Sequence, residues 1–212
     1  MWSKLSFAIF KLIGWKTYYE PLPGSHGIIV VYPHTSNWDF PLGVLWKSAY
    51  KVRPRWVAKE SLFKPPVFGW FMRKLGGIGI KREGNLDVAQ NLKKTMLAED
   101  NCWLVIAIEG TRSYKPYIHL GYYYIAKAAN VPIGLAKFNY ETKTIGVSDY
   151  RYVKDTIEEE IEQLKLDFAG HRARYPENAG ALAVREKYTH GKAYKKAGSH
   201  QPFLVSQHSI IS

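Results

Sequence analysis

Apolar positions along the chain fall into short uninterrupted runs that alternate with stretches of helical period. Gly27 to Tyr32 and Trp103 to Ile108 are continuous runs rich in β-branched residues, as expected of strands buried on both faces. Arg55 to Ala58, Ile78 to Lys81, Pro132 to Tyr140 and Thr144 to Val147 read as further extended segments. Between them the period changes. Asp39 to Tyr50 reads as a helix. Pro66 opens another, with Val67, Phe68, Phe71, Met72 and Leu75 as an apolar stripe, Arg73 and Lys74 on its polar side, and Gly76-Gly77 as its stop. Asn85 is a candidate N-cap for a helix to Ala98 with Leu86, Ala89, Leu92 and Met96 inward. His119 to Ala129 and the charged stretch Asp155 to Phe168 complete the helices. This alternation predicts one layered α/β domain, a central sheet flanked by helices.

The two ends differ from the middle. Residues 1–16 predict a short amphipathic helix with Trp2, Leu5, Ile9, Leu12 and Ile13 on one face, Lys4 and Lys11 roughly opposite, and Phe7 and Phe10 outside the stripe. Two readings stand side by side: a helix packed on the body of the protein, or an interfacial anchor with its lysines near anionic headgroups. After about residue 170 the core pattern fades, and Lys192 to Ser212 mix basic, Gly, Ser and His residues. The organisation expected is an amphipathic N-terminal helix over 1–20 as a candidate membrane anchor, a catalytic-size domain over 21–178, and a basic mobile tail over 179–212. His190, His200 and His208 fall in that tail at no metal-ligand spacing, and no metal site is expected.

Composition narrows the partners. The 212 residues suffice for one full core, and 46% hydrophobic content is that of a globular protein. Thirty Lys+Arg against 18 Asp+Glu give a net charge of +12, which favours an anionic partner. Seven Trp and fifteen Tyr fit a membrane interface as well as single-stranded nucleic acid. Cys102 stands alone, so no intrachain disulfide forms, and its place before a buried strand makes it a small core residue. Lys4 and Lys11 bracket only a short apolar run with no small-residue cleavage site after it, so no signal peptide is expected. Pro21 to Trp38 lacks charge but contains Pro21, Pro23, Gly24 and Pro33, so it is no spanning helix, and any membrane contact is expected to be peripheral.

The candidate chemistry lies where the two buried runs end. Pro33-His34-Thr35-Ser36-Asn37-Trp38-Asp39 follows the first, and Glu109-Gly110-Thr111-Arg112-Ser113 the second. In open α/β sheets that edge is where ligands bind. On a regular helix His34 and Asp39 would stand about 140° apart. They meet only if His34 lies in the strand-end loop and Asp39 in the first helical turn, an arrangement that Pro33 and the capping residues Thr35, Ser36 and Asn37 favour. A carboxylate beside an imidazole fixes its tautomer and stabilises its protonated form. The plainer reading is a turn-capping His and an Asp that serves the helix dipole. Gly110 allows close approach of backbone to ligand, and Arg112 offers paired bonds to phosphate. Glu109 either holds that arginine or meets an acceptor hydroxyl. Lys81-Arg82 ends the strand after Gly76-Gly77 as a third basic point. No Gly-x-Ser-x-Gly elbow, Walker loop or dinucleotide fingerprint occurs, so direct attack by a substrate hydroxyl is preferred to a covalent enzyme intermediate.

His34-Thr-Ser-Asn-Trp-Asp39, Gly77-Ile-Gly-Ile-Lys-Arg82, Glu109-Gly-Thr-Arg-Ser113 and Val131-Pro-Ile133, in this order, resemble the four blocks of the glycerolipid acyltransferase family, which includes the lysophosphatidic acid acyltransferases. The resemblance covers roughly residues 25–150. It implies a mixed central sheet with flanking helices, glycerol-3-phosphate acyltransferase-like, at a membrane surface, and the basic charge of the chain points to the cytoplasmic face for a peripheral protein. It further implies O-acyl transfer from acyl-CoA or acyl carrier protein, as acyl-donor substrate and with no bound cofactor, to a lysophospholipid hydroxyl, 1-acyl-glycerol-3-phosphate first among acceptors. On the matching positions His34 is the general base and Asp39 its orienting carboxylate. Arg82, Glu109, Gly110, Thr111 and Arg112 bind the acceptor, and Pro132 serves donor binding or packing. Phe68 to Leu75 becomes a candidate lining for an acyl groove, against the plainer reading as core. Two positions depart from the usual pattern: Ile108 stands where the third block commonly has Pro, and Lys81 where the second often has an acid. The rival readings are the same site with another acceptor such as a lyso-aminolipid, and a non-catalytic membrane- or nucleic-acid-binding protein. No nucleic acid is expected as partner, because the positive charge is spread along the chain without a recognition motif.

Overall fold

The structure, a computed structural model, describes residues 2–81 and 85–185, the side chains of 85–87 excepted. Its strands are β1 (Lys16–Tyr19), β2 (His26–Val31), β3 (Arg55–Lys59), β4 (Gly77–Ile80), β5 (Cys102–Ala107), β6 (Ile133–Asn139) and β7 (Thr144–Arg151). Its helices are α1 (Trp2–Leu12), α2 (Asp39–Ala49), α3 (Pro66–Lys74), α4 (Asn85–Leu97), α5 (Gly121–Ala129) and α6 (Ile157–Asp167), with short 3-10 turns at Glu60–Phe63 and Pro176–Asn178. Among the described residues the seven strands form one sheet in the order β1-β7-β6-β2-β5-β3-β4. β6 and β7 pair antiparallel and the other neighbours parallel, so the sheet is mixed.

The continuous apolar runs became the central strands, with β2 between β5 and β6. Their period of two sends alternate side chains to opposite faces. Ile28, Val30 and Leu104 pack with α4, α5 and α6, whereas Ile29, Val31 and Trp103 pack with α1 and α2. The connections β2 to β3 and β3 to β4 advance in one direction along the sheet, and right-handed crossovers therefore put α2 and α3 on the same face. Lys47 of α2 accordingly donates to the Leu75 carbonyl at the end of α3 at 2.6 Å.

Four places add to or correct the sequence reading. β1 carries no apolar run, which hid it; it is an edge strand held by the parallel register Lys16–Thr144 to Tyr19–Val147. α1 turns Ser6 and Phe10 inward while Trp2, Leu5, Leu12 and Ile13 stay exposed, so the apolar stripe faces outward. α3 likewise buries Gly69 and Met72 rather than its aromatic stripe. Residues 179–185, placed in the mobile tail by sequence, are tied down: Ala181 N–H donates to Lys115, Ile118 N–H to Ala183, and Leu182 and Val184 pack on the core. Their apolar residues are too few to form a periodic pattern, and the hydrogen bonds that hold them reach across the chain. Arg82, the side chains of Asn85 and Leu86, and the three tail histidines lie outside the described residues. No helix among the described residues is long and apolar enough to cross a membrane.

Candidate active site

β2 and β5 run side by side in parallel, with Val31 opposite Ala107, so the segments that follow them emerge together at one edge of the sheet. His34 lies in the loop and Asp39 opens α2, the arrangement that allows two residues five apart to meet. His34 Nδ1 stands 2.9 Å from Asp39 Oδ2. The approach is off the hydrogen-bond axis, so Nδ1 has no in-line acceptor; catalytic hydrogen bonds are often poorly aligned before substrate binds. The His34 side chain is 19% exposed and Asp39 buried at 3%, so the imidazole alone of the pair reaches solvent.

Asp39 is held on both oxygens. Oδ2 accepts the Ser36 N–H at 3.1 Å, and Oδ1 accepts the Tyr140 hydroxyl. Burial and the Asp39 carboxylate push the Tyr140 phenol far above its ordinary range, which keeps it a donor. Tyr140 is fixed in turn by its N–H to the Arg172 carbonyl at 2.9 Å and by the edge of Trp15 at 5.0 Å. The Arg174 guanidinium stands over Trp38, Tyr140 and Tyr175 at 5.6, 6.0 and 5.6 Å. The expected side-chain cap of α2 takes another form: Ser36 Oγ accepts the Trp38 N–H at 3.1 Å, and Trp38, the residue before the helix, caps nothing with its side chain.

Glu109 does not face the groove. It is buried at 1%, with Oε2 accepting the His34 N–H at 2.5 Å and Oε1 the Gly180 N–H at 2.8 Å. Burial pushes its carboxyl up to about 7, while the two N–H donors and His34 pull it down. Both oxygens are spent on backbone, so Glu109 ties the His34 turn to the C-terminal segment rather than meeting an acceptor. The N–H groups of His34, Ser36 and Trp38 donate to Glu109, Asp39 and Ser36; these three are therefore taken as oxyanion donors go.

Gly110 makes the turn after Glu109 with φ +64°. A Cβ there would lie 2.9 Å from His119 Cδ2, so both conformation and space call for glycine. Beyond it Thr111 and Arg112 join His34 in lining a groove of about 820 Å³. Lys59, His119 and Arg185 line it too, and the rest of the wall is largely apolar, with Val57, Leu62, Leu92 and Ile125. The groove thus combines the imidazoles of His34 and His119 and several cations with a largely apolar wall, which suits an amphiphile with an anionic head. A shallower depression of about 910 Å³ against α6 holds none of these residues. Pro132 is not brought here. Its carbonyl accepts the Ile28 N–H at 3.0 Å near the start of β2, at the opposite edge of the sheet, a packing position.

A family model described as Acyltransferase matches residues 16–134, over half of the chain. The chain belongs to the acyltransferase family. The fold of this acyltransferase is similar to that of the 1-acyl-sn-glycerophosphate (LPA) acyltransferase PlsC from Thermotoga maritima, with a TM-score of 0.51, 19% identity, and coverage of 78% of this chain and 74% of that one. No curated protein matches the sequence.

Sequence reasoning missed four groups at the candidate site. Tyr140 lies 101 positions from Asp39, and nothing local marks it. Lys59 ends a strand that gave only a weak signal. His119 was read as the start of a helix, but its N–H donates to Ile108 at 2.7 Å and the helix begins at Gly121. Arg185 sits in what reads as tail, with its guanidinium 4.2 Å from the Tyr117 ring and a hydrogen bond to the Tyr117 hydroxyl.

Proposed function

We propose that this acyltransferase moves a fatty acyl group from acyl-CoA or acyl carrier protein to the free hydroxyl of a lysophospholipid, 1-acyl-glycerol-3-phosphate being the acceptor that fits best. The observation that carries the reading is His34, backed by buried Asp39, in one groove with Arg112. Nδ1 faces Asp39, which leaves Nε2 for the acceptor. Nε2 takes the hydroxyl proton as that oxygen bonds to the thioester carbonyl carbon. Collapse of the tetrahedral intermediate breaks the C–S bond, and the departing thiolate takes the proton back from the imidazolium. Arg112 binds the acceptor phosphate through charge-assisted bonds and places the hydroxyl. Arg82, by the same reasoning, is a second phosphate ligand. Thr111 and Gly110 shape the turn beneath it.

The reaction belongs at the cytoplasmic surface of an anionic membrane. The outward apolar row of α1, the nearby Lys4 and Lys11 and the net charge of +12 support that placement.

The test is acyl transfer from a palmitoyl or oleoyl thioester to a panel of lysolipids. Replacing His34 by Ala should cut turnover roughly 10²–10⁴-fold with the fold intact. Arg112→Ala should raise the KM for the acceptor about tenfold or more and leave the donor KM in place. A near-normal rate without His34 defeats the mechanism. An unchanged acceptor KM removes Arg112 as the phosphate ligand. Transfer confined to a lyso-aminolipid keeps the mechanism and moves the acceptor.

A further inference from the structure

Among the described residues the outward face of α3 has no partner in the fold. Val67, Phe68, Trp70 and Phe71 are exposed at 80%, 43%, 57% and 49%. The helix is nevertheless firmly seated. Gly69 and Met72 form its buried side, and the Gly69 N–H donates to the Pro65 carbonyl at 2.6 Å. A Cβ on Gly69 would come within 2.1 Å of the Phe63 carbonyl oxygen. The helix backbone thus rests directly on the 3-10 turn before it, and this glycine decides which side faces out. At about 100° per residue, Gly69 and Met72 inward put Val67, Trp70 and Phe71 on the far side with Phe68 at the flank.

The helix and the chain after it are basic, with Glu60 at the start of the supporting turn the one acid in the span 60–81. From Ser61 to Lys81 the chain carries Lys64, Arg73, Lys74 and Lys81 and no carboxylate. Lys74 Nζ lies 4.3 Å from the Trp70 ring centroid. Aromatic side chains rimmed by lysine and arginine suit the boundary between headgroups and acyl chains. A second copy of the same face would bring like charges together, in a chain already at +12. The position matters as much as the chemistry. Ser61 and Leu62, in the turn on which α3 rests, line the groove that holds His34 and Arg112, and Leu62 is itself exposed.

We propose that α3 inserts into the interface of an anionic bilayer through Val67, Phe68, Trp70 and Phe71, and so sets the groove mouth at Leu62 against the lipid that supplies the acceptor. The role in acceptor supply rests on the lysolipid reading above; the insertion itself does not. A lysolipid held in the membrane then passes into the groove beside α3 without its acyl chain crossing water.

The full chain and the triple variant Phe68→Ser, Trp70→Ser, Phe71→Ser are compared for sedimentation with phosphatidylcholine vesicles, with and without phosphatidylglycerol. The variant should bind the anionic vesicles about tenfold or more less tightly. It should lose turnover on a long-chain lysolipid embedded in them, and keep wild-type turnover on a short-chain lysolipid dissolved as monomer. Should the triple variant fail to fold, Phe68→Cys labelled with a polarity-sensitive dye replaces it, since Cys102 is buried; the dye emission should shift to the blue with anionic vesicles. Unchanged vesicle binding or an unshifted dye overturns the proposal. So does a dimer that the triple variant breaks into monomers while vesicle binding persists, which would assign the face to a second copy. If the wild type acylates no lysolipid at all, the functional reading fails, and the binding arm still decides for or against the insertion of α3.

Discussion

Behind the imidazole stand one carboxylate and one hydroxyl. Among the described residues Tyr140 gives Asp39 Oδ1 its only side-chain donor, and the Ser36 N–H together with His34 takes Oδ2. Tyr140 touches no reacting atom in this mechanism and is a positioning residue. Without its hydroxyl, a buried carboxylate oxygen loses its partner and Asp39 can rotate away from Nδ1. Replacing Tyr140 by Phe should lower kcat roughly ten- to thirtyfold, the rate equivalent of one lost charge-assisted bond, while the acceptor KM holds. Steady-state kinetics on a soluble acceptor checks this. A parallel fall in apparent acceptor affinity would mean that Tyr140 shapes the groove instead. At this scale the meeting of His34 and Asp39 was legible in sequence, because strand end, proline and capping residues all lie within one short segment. Tyr140 was not legible, since its contact with Asp39 depends on where β6 ends relative to α2.

Among the elements, β7 and α6 are joined by a buried charge cluster. Arg151 donates to Glu160 at 2.8 and 3.0 Å and to Asp167 at 2.8 and 3.0 Å. Glu160 is fully buried and also accepts the Tyr122 hydroxyl and the Lys154 N–H. The sequence marks 155–168 as a charged amphipathic helix, and the capping box of Thr156 and Glu159 that starts it is present. Nothing in the sequence sets Glu160 apart from the neighbouring acids; packing against β7 and α5 makes it the hub. Glu160→Ala would leave Arg151 buried without its main partner, a loss of roughly 3–5 kcal/mol. Thermal unfolding should show a midpoint lowered by about 10 °C. A fall of only a degree or two would place the cluster in solvent.

The whole molecule meets in Glu109, where β5, the His34 turn and the C-terminal segment at Gly180 share one carboxylate. Its carboxyl is raised to about 7 in the folded protein, chiefly by burial. The folded state therefore holds a proton that the unfolded chain releases at the ordinary carboxyl value. This group's contribution to stability is fully present below that value and is lost as pH rises through about 7. Urea unfolding of wild type and Glu109→Gln should show a stability difference that moves against the wild type by roughly 3 kcal/mol between pH 4 and 8. A flat difference would mean that the carboxylate stays ionised throughout.

Local sequence determined the alternation of strands and helices, the two central strands and the chemical kinds of residue at their ends. Each of these follows from periodicity and from side-chain chemistry within a few neighbours. Tertiary structure alone decided which faces of α1 and α3 look outward, since both are apolar over more of their surface than one packing contact can cover. In α3 the choice came from a glycine that fits against Phe63. It also decided that Glu109 holds the site together from beneath rather than facing the groove, that Pro132 lies at the far edge of the sheet, and that Arg185 lines the groove. Those outcomes depend on contacts between segments far apart in the chain, which appear only once the sheet has brought its strand ends together.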